Sequence, residues 1–124
     1  MKYNFVLEKR RIIVTATIKG INFNFILDTG ATTSVIDSDV ALWLGFDLRD
    51  LKMIKLTTVG GSTKSQNLTL PKISLFDKEI NNFDVTVIKL PYQITLFADG
   101  LIGMDFLLNF KEFKLNFDEK IIEI

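Results

Sequence analysis

Residues 25–36 read Phe-Ile-Leu-Asp-Thr-Gly-Ala-Thr-Thr-Ser-Val-Ile, and the rest of the chain is best understood from this stretch. A run of large apolar residues ends abruptly at Asp28, small hydroxyl-bearing residues follow, and the apolar pattern resumes at Val35. A carboxylate at the end of a buried strand is unfavourable unless it is paired or hydrogen-bonded. Asp28 therefore has either a local role, as a turn residue that caps the Thr-Gly segment, or a chemical role.

The composition narrows the chemistry that this chain could perform. Its 124 residues contain no Cys and no His, which excludes His-based catalytic triads, thiolate nucleophiles and the usual zinc ligand sets. Lys plus Arg and Asp plus Glu both number 15, and this neutral balance argues against nucleic-acid and membrane-surface partners. Any catalysis must use carboxylates, hydroxyls, amines or the backbone, and we expect no metal and no cofactor.

Length and hydrophobicity predict one domain, residues 1–124, with a substantial core, since 48% of the residues are hydrophobic. The first residues are charged and lack the apolar segment of a signal peptide. No apolar run reaches the length that spans a bilayer. The default expectation is a cytoplasmic protein with no membrane partner.

Alternating apolar residues predict a mostly β fold. We expect strands at residues 3–7, 11–18, 21–27, 51–58, 63–70, 73–76, 80–90, 113–117 and 121–124. Pro71 is expected to end the fifth of these segments. The strands predict a closed or sandwich-like, antiparallel β-barrel.

One or two short helices complete the prediction. The first is expected at residues 38–44, with Asp37 or Ser38 as its cap and Gly45 ending it in a left-handed conformation. Trp43 is expected in the core or covering it. The second helix follows a strand that begins at Gly100, and a loop is expected at residues 91–98.

Three motifs follow one another along the chain. An apolar strand runs into Asp28-Thr29-Gly30-Ala31-Thr32, a glycine-tipped hairpin follows at Val59-Gly60-Gly61, and Gly100-Leu101-Ile102-Gly103 runs into a helix. This combination resembles a retroviral-type (retropepsin-like) aspartic protease, close to its single-domain bacterial and cellular relatives. The resemblance extends over nearly the whole chain and implies the closed antiparallel β-barrel of the acid-protease type.

The resemblance implies an aspartic endopeptidase in which Asp28 is catalytic. Because the chain has a single Asp-Thr-Gly and is too short for a two-lobed enzyme, the implied assembly is a homodimer with one Asp28 from each subunit. Two adjacent carboxylates can share one proton because both cannot ionise together. One then acts as base on water while the other protonates the substrate carbonyl. The implied substrate is an extended peptide or protein segment.

The resemblance also assigns roles to the other motif residues. Thr29 matches the residue whose hydroxyl bonds across the dimer axis, and Leu101 and Val35 match positions that line pockets for apolar substrate side chains. The remaining assignments are an active-site loop of Thr29, Gly30 and Ala31, a flap tip of Val59, Gly60 and Gly61, and a supporting segment of Ile102 and Gly103.

The sequence also departs from the viral pattern. Viral enzymes commonly carry an Asp after the Ala and an Arg after the second Gly, and these two residues pair. Thr32 and Met104 occupy those positions here, so the ion pair is absent. The dimer must therefore be stabilised in another way, with residues 1–10 and 113–124 as candidates. We interpret Asp105 as a helix-cap residue and not as a second catalytic acid.

Two alternatives stay open. The first is a dimer of the same fold that binds peptides or a partner protein without cleaving them, because a fold does not guarantee turnover. The second is a β domain in which the Asp-Thr-Gly is a plain turn and the function is structural.

Overall fold

The computed structural model describes residues 1–49, 51–58 and 61–124. The strands are β1 (Lys2–Asn4), β2 (Val6–Glu8), β3 (Arg11–Ile18), β4 (Ile21–Leu27), β5 (Val35–Asp37), β6 (Met53–Thr58), β7 (Gly61–Leu75), β8 (Lys78–Ile88), β9 (Gly100–Ile102), β10 (Lys114–Asn116) and β11 (Ile121–Glu123). The helices are α1 (Ser38–Trp43), α2 (Tyr92–Thr95) and α3 (Met104–Leu107). The predicted mostly β fold is confirmed, with one more short helix in the described ranges than expected.

In the described part of the chain, eight strands form one sheet in the order β2-β3-β4-β9-β5-β8-β7-β6, and β1-β11-β10 form a second. Strand β7 pairs with β3 as well, through Ala16–Leu75 and Thr17–Ser74. Most pairings are antiparallel as predicted, but β4–β9 and β5–β8 are parallel. These two pairings join segments far apart in the sequence, which hairpin patterns cannot reveal.

The hairpin of β3 and β4 has the predicted bounds because its alternation is regular. Six residue pairs join the strands, from Ile13–Ile26 to Ile18–Ile21. Ala16 and Phe25 are among the residues that this hairpin buries in the main core. The hairpin carries the chain directly to Asp28 at the end of β4.

The expected strand break at Pro71 is wrong. Strand β7 runs for 15 residues and includes Pro71. Its partner positions on either side are Leu70–Phe83 and Lys72–Asn81, so the ladder continues past a residue that lacks an N–H donor. In contrast, the single strand expected at residues 3–7 is two, because Phe5 interrupts the pairing and is itself buried.

Helix α1 forms where the pattern predicted it, and Gly45 follows it with a φ of +91° as expected. The expected side-chain cap is wrong. Asp37 holds the cap position without a capping bond, because its buried carboxylate accepts the Leu90 N–H at 2.9 Å. Trp43 is 68% exposed and meets Phe23 edge-on at 6.2 Å, so it lies outside the core.

Two apolar clusters lie within the described fold. The larger cluster draws most of its residues from the eight-stranded sheet and includes Ile36, Ile102 and Phe106, each fully buried. The smaller contains Ile13, Ile26 and Ala98, with Ile94, Phe97 and Leu101 packed against it. The smaller cluster includes strand residues next to Asp28. No helix in the described ranges is long and apolar enough to cross a membrane.

Candidate active site

Asp28 is held at the end of β4 by the parallel partner strand. Residues Leu27 and Ile102 are the last pair of β4 and β9, and the Asp28 N–H donates to the Ile102 carbonyl at 2.9 Å. This bond extends the strand pairing onto the Asp28 loop, which we define as residues 28–34. The side chain of Asp28 is half-buried, so the backbone is fixed while the carboxylate keeps access to solvent.

The Asp28 carboxylate makes one local contact. Its Oδ1 accepts the Gly30 N–H at 2.9 Å, and the Asp28 carbonyl accepts the Ala31 N–H at 3.2 Å. This is the side-chain turn that the structural alternative predicts. Among the described residues Oδ1 is the only oxygen of this carboxylate that accepts a hydrogen bond. The turn contact thus orients Asp28 and is compatible with a catalytic role for Oδ2.

The predicted supporting segment, Ile102 and Gly103, packs beneath the Asp28 loop. A Cβ atom on Gly103 would lie 2.7 Å from the Ala31 carbonyl oxygen and 2.9 Å from the Thr33 carbonyl, so no side chain fits there. The next N–H group, of Met104, donates to the same Ala31 oxygen at 2.8 Å. Backbone therefore packs on backbone along this edge of the loop.

The two predicted pocket-lining residues are neighbours. Val35 of β5 pairs with Leu101 of β9, Val35 is 6% exposed, and Leu101 is half-buried against the smaller apolar cluster. Gly100 permits this arrangement, because a Cβ atom there would lie 2.2 Å from the Val35 carbonyl oxygen and 2.5 Å from the Phe25 ring. The contact of either residue with a substrate stays a prediction.

The remaining predicted site residues differ in their surroundings. Thr29 and Gly30 are exposed at the start of the loop, and Ala31 is half-buried. Gly61 begins β7 opposite Thr58, is exposed and has a φ of +127°, a conformation that favours glycine. The other two residues of the predicted flap tip, Val59 and Gly60, lie outside the described residues.

Sequence reasoning missed a contact between the buried Ser34 and the half-buried Asp105. The Ser34 side chain is 1% exposed, and its hydroxyl donates to Asp105 Oδ1 at 2.7 Å. Asp105 does not hold the expected cap position of α3, which belongs to Gly103; it lies in the first turn, where its Oδ1 also accepts the Phe106 N–H at 2.8 Å. A buried serine hydroxyl must find a partner, but the pattern gives no signal that this partner lies 71 residues away.

Lys89 and Asp39 form an exposed ion pair on the surface of the protein. Lys89 shares a groove of about 460 Å³ with Met53 and Ser62, and its hydrogen bond with Asp39 raises the pKa of Lys89. Exposed ion pairs of this kind contribute little to stability. In the described part of the chain, no group of three or more carboxylate, His or Cys side chains is placed to hold a metal ion.

Comparison with known proteins agrees with this geometry. The family model described as aspartyl protease matches residues 14–106. A retropepsin-like aspartic protease from Rickettsia conorii has a similar structure, with a TM-score of 0.71 and 24% identity over 98% of this chain and 86% of that one. The EIAV protease in complex with the inhibitor HBY-793 has a TM-score of 0.65 and 23% identity over 82% of this chain and 88% of that one.

No curated protein sequence matches this chain significantly. At these identities the two solved structures establish the fold, which is retropepsin-like with mostly β structure. The family model extends from β3 into α3 and so includes the Asp28 loop and its supporting segment. The chain therefore belongs to the aspartyl protease family and is an aspartic peptidase, a hydrolase of peptide bonds.

Proposed function

We propose that this chain is an endopeptidase that works as a homodimer, with one Asp28 from each subunit forming the catalytic pair. The observation that carries the proposal is the hydrogen bonding of the Asp28 carboxylate. Oδ1 is held by the Gly30 N–H, and Oδ2 accepts no bond from the described residues, so one oxygen is oriented and the other is available to a second carboxyl group. The chain has one Asp-Thr-Gly, so the second carboxylate must come from a second copy.

The surface around Asp28 also supports a shared cleft. Thr29 and Gly30 are exposed beside Asp28, as residues at a subunit interface would be in an isolated chain. A peptide-binding cleft at Asp28 is therefore expected to form between two subunits.

The proposed chemistry needs only the two carboxylates and one water. The ionised Asp28 removes a proton from the water, and the water oxygen attacks the peptide carbonyl carbon. The protonated Asp28 of the other subunit donates its proton to the carbonyl oxygen. The resulting gem-diol collapses when the first carboxyl gives its proton to the leaving nitrogen and the C–N bond breaks. One hydroxyl then returns its proton to the second carboxylate as the carbonyl reforms, which regenerates the starting pair.

Further parts of the proposal concern substrate contacts and architecture. Thr29 bonds across the two-fold axis, Leu101 and Val35 favour apolar substrate side chains, and the tip at residues 59–61 closes over the peptide. The sheet closes into a barrel, since β3 pairs with β7 as well as with β4. The termini, residues 1–10 and 113–124, stabilise the dimer in place of the missing viral ion pair. A cytoplasmic location stays a prediction.

A peptide-library experiment tests this function. Purified protein and the Asp28→Asn variant are incubated with a mixed peptide library at pH 4 to 7, and both are examined by analytical ultracentrifugation. We expect the native chain to cleave peptides, the variant to lose cleavage, and both to sediment as dimers. Binding of peptides with no cleavage at any pH would instead favour the non-catalytic alternative.

The dimer requires its own test. Activity per subunit is expected to fall on dilution through the dimer dissociation range, because a lone Asp28 has no partner. Full activity in a sedimenting monomer would contradict the shared site. In coordinates of the dimer, the two Asp28 carboxylates should approach to about 3 Å across the two-fold axis.

A further inference from the structure

A half-buried hydroxyl–carboxylate clamp joins the last residue of the Asp28 loop to helix α3. We infer that Ser34 and Asp105 are positioning residues, which hold the Asp28 loop in the geometry that catalysis requires. This inference rests on the proposed function. It assigns to Asp105 a role that is neither helix capping nor acid–base chemistry.

The clamp uses both groups of Ser34 and both oxygens of Asp105. The Ser34 hydroxyl donates to Oδ1 at 2.7 Å, and the Ser34 N–H donates to Oδ2 at 2.9 Å. Oδ1 also accepts the Phe106 N–H at 2.8 Å, which fixes the carboxylate relative to its own helix. Such a two-point contact defines the orientation of both partners, and bonds to an ionised acceptor are stronger than neutral ones.

The same hydroxyl reaches the segment that supports Asp28. Ser34 Oγ accepts the Gly103 N–H at 2.9 Å, so the hydroxyl is donor and acceptor at once. Gly103 directly follows Ile102, whose carbonyl accepts the Asp28 N–H at 2.9 Å. A continuous path of hydrogen bonds and backbone therefore runs from Asp105 through Ser34 to Asp28.

Two backbone hydrogen bonds also join the Asp28 loop to the start of α3. The N–H groups of Met104 and Asp105 donate to the carbonyls of Ala31 and Thr32 at 2.8 and 3.2 Å. Neither Thr32 nor Met104 is charged, so the ion pair expected at these positions in viral enzymes cannot fix the loop. The neighbouring clamp supplies a half-buried, charge-assisted contact in its place.

Because Ser34 is buried, its effect on positioning Asp28 can be distinguished from an effect on substrate binding. With 1% of its surface exposed, this side chain cannot touch a peptide in the cleft. Its removal should act through Asp28, lowering kcat and leaving KM nearly unchanged. A small displacement of a catalytic group is enough for a large loss of rate.

Four variants test the clamp in the full-length protein. Ser34→Ala removes the hydroxyl, Asp105→Asn places an amide donor against the donors of Ser34, and Ser34→Thr keeps the hydroxyl. Ile73→Val is a stability control, because it removes a methyl group from a buried side chain of β7 that pairs with Ile80. We measure kcat, KM, the pH dependence of kcat, melting temperature and amide hydrogen exchange.

We expect kcat to fall roughly tenfold to a hundredfold in Ser34→Ala and Asp105→Asn, with KM almost unchanged. The pH profile of kcat should shift in both variants, because proton sharing between the two Asp28 carboxylates depends on their separation. Amides of residues 28–34 and 102–105 should exchange faster. Ser34→Thr should recover most of kcat, and Ile73→Val should lower the melting temperature without changing kcat or the pH profile.

The outcomes distinguish the clamp from the function it serves. If the native chain cleaves peptides and Ser34→Ala keeps its kcat, its pH profile and its slow exchange in the loop, the clamp is overturned and the peptidase stands. If the native chain cleaves nothing, the proposed function fails. Hydrogen exchange still tests the clamp in that case. Exchange that is faster in Ser34→Ala than in the native chain for amides of the Asp28 loop, but not for amides of β7, supports the clamp. An equal change in the loop and in β7 overturns it.

Discussion

The Asp28 loop and the neighbouring β-hairpin arm are stabilised by contacts of opposite kinds. The arm consists of β6 and the start of β7, and its register from Met53–Gln66 to Thr58–Gly61 joins consecutive strands. The Asp28 loop draws its tertiary partners from distant segments, as in the Thr33–Thr86 and Ser34–Asp105 contacts, whose residues are 53 and 71 positions apart in the sequence.

Their environments differ as well. Strand β6 is the last in the order of its sheet, and Met53 and Ile54 are 53% and 40% exposed. Ser34, in contrast, is almost fully buried beneath the loop. The comparison teaches that the loop takes its geometry from tertiary contacts, whereas the arm takes its geometry from local pairing. Changes to the supports of the loop should therefore have the larger effects.

The strongest disturbance of the loop is expected from Gly103→Ala. The added Cβ would lie 2.7 Å from the Ala31 carbonyl oxygen, and backbone on both sides leaves little room for adjustment. We expect a loss of about 3 kcal/mol in the free energy of unfolding, measured by urea denaturation, together with loss of peptidase activity.

Gly20→Ala is the matched control for this change. Gly20 has a φ of +74°, and nothing lies within 4 Å of the position that its Cβ would take. The cost there is backbone strain of about 1 kcal/mol, with activity retained in the folded fraction. Equal losses in the two variants would show that steric contact beneath the loop has no special weight.

An intermediate effect is expected at the base of the arm, from Gln66→Ala. The Gln66 side-chain amide donates to the carbonyls of Leu48 and Leu51 at 2.7 and 3.1 Å. Because these carbonyls lose their partners, we expect a loss of roughly 1 to 2 kcal/mol in the free energy of unfolding. Gln93→Ala, at an exposed position of α2, should change it by less than about 0.5 kcal/mol. Identical stabilities would remove Gln66 as an anchor of the arm.

The smallest effect is expected at the exposed Arg49–Asp47 pair, in the segment that Gln66 holds. The hydrogen bond from the Arg49 side chain lowers the pKa of Asp47 below its ordinary value of 3.8. A lowered folded-state pKa means that the stabilisation is present above the unfolded-state value and is lost as pH falls through the folded-state value. Arg49→Gln should raise the Asp47 pKa in an NMR titration and leave the melting temperature at pH 7 unchanged. An unaltered Asp47 titration would contradict the pairing.

The local parts of the fold could be predicted from the sequence because their signals are local. Alternation defined β3 and β4 to the residue, and Gly45 marked the end of α1. The motif around Asp28 pointed to the correct family for the same reason, since the strand, the carboxylate and the small residues are contiguous. Short α2 was missed because four residues without a side-chain cap carry almost no pattern.

The supports of the candidate site could not be predicted, because they depend on residues that are distant in the sequence. Nothing near Ser34 indicates that Asp105 will receive both its N–H and its hydroxyl. The parallel pairing of β4 with β9 is equally invisible to a search for hairpins. The partner of Asp37 is also distant in the sequence, since its carboxylate accepts the Leu90 N–H and makes no bond to the helix that it precedes.

The parallel pairing of β4 with β9 has a consequence for how the protein folds. Contacts between remote segments form only after a long loop has closed, and the entropy of that closure opposes them early. During synthesis, a nascent chain that ends before residue 102 lacks both the Ile102 carbonyl that receives the Asp28 N–H and the Asp105 carboxylate that binds Ser34. The Asp28 carboxylate should thus acquire its final geometry among the last events of folding.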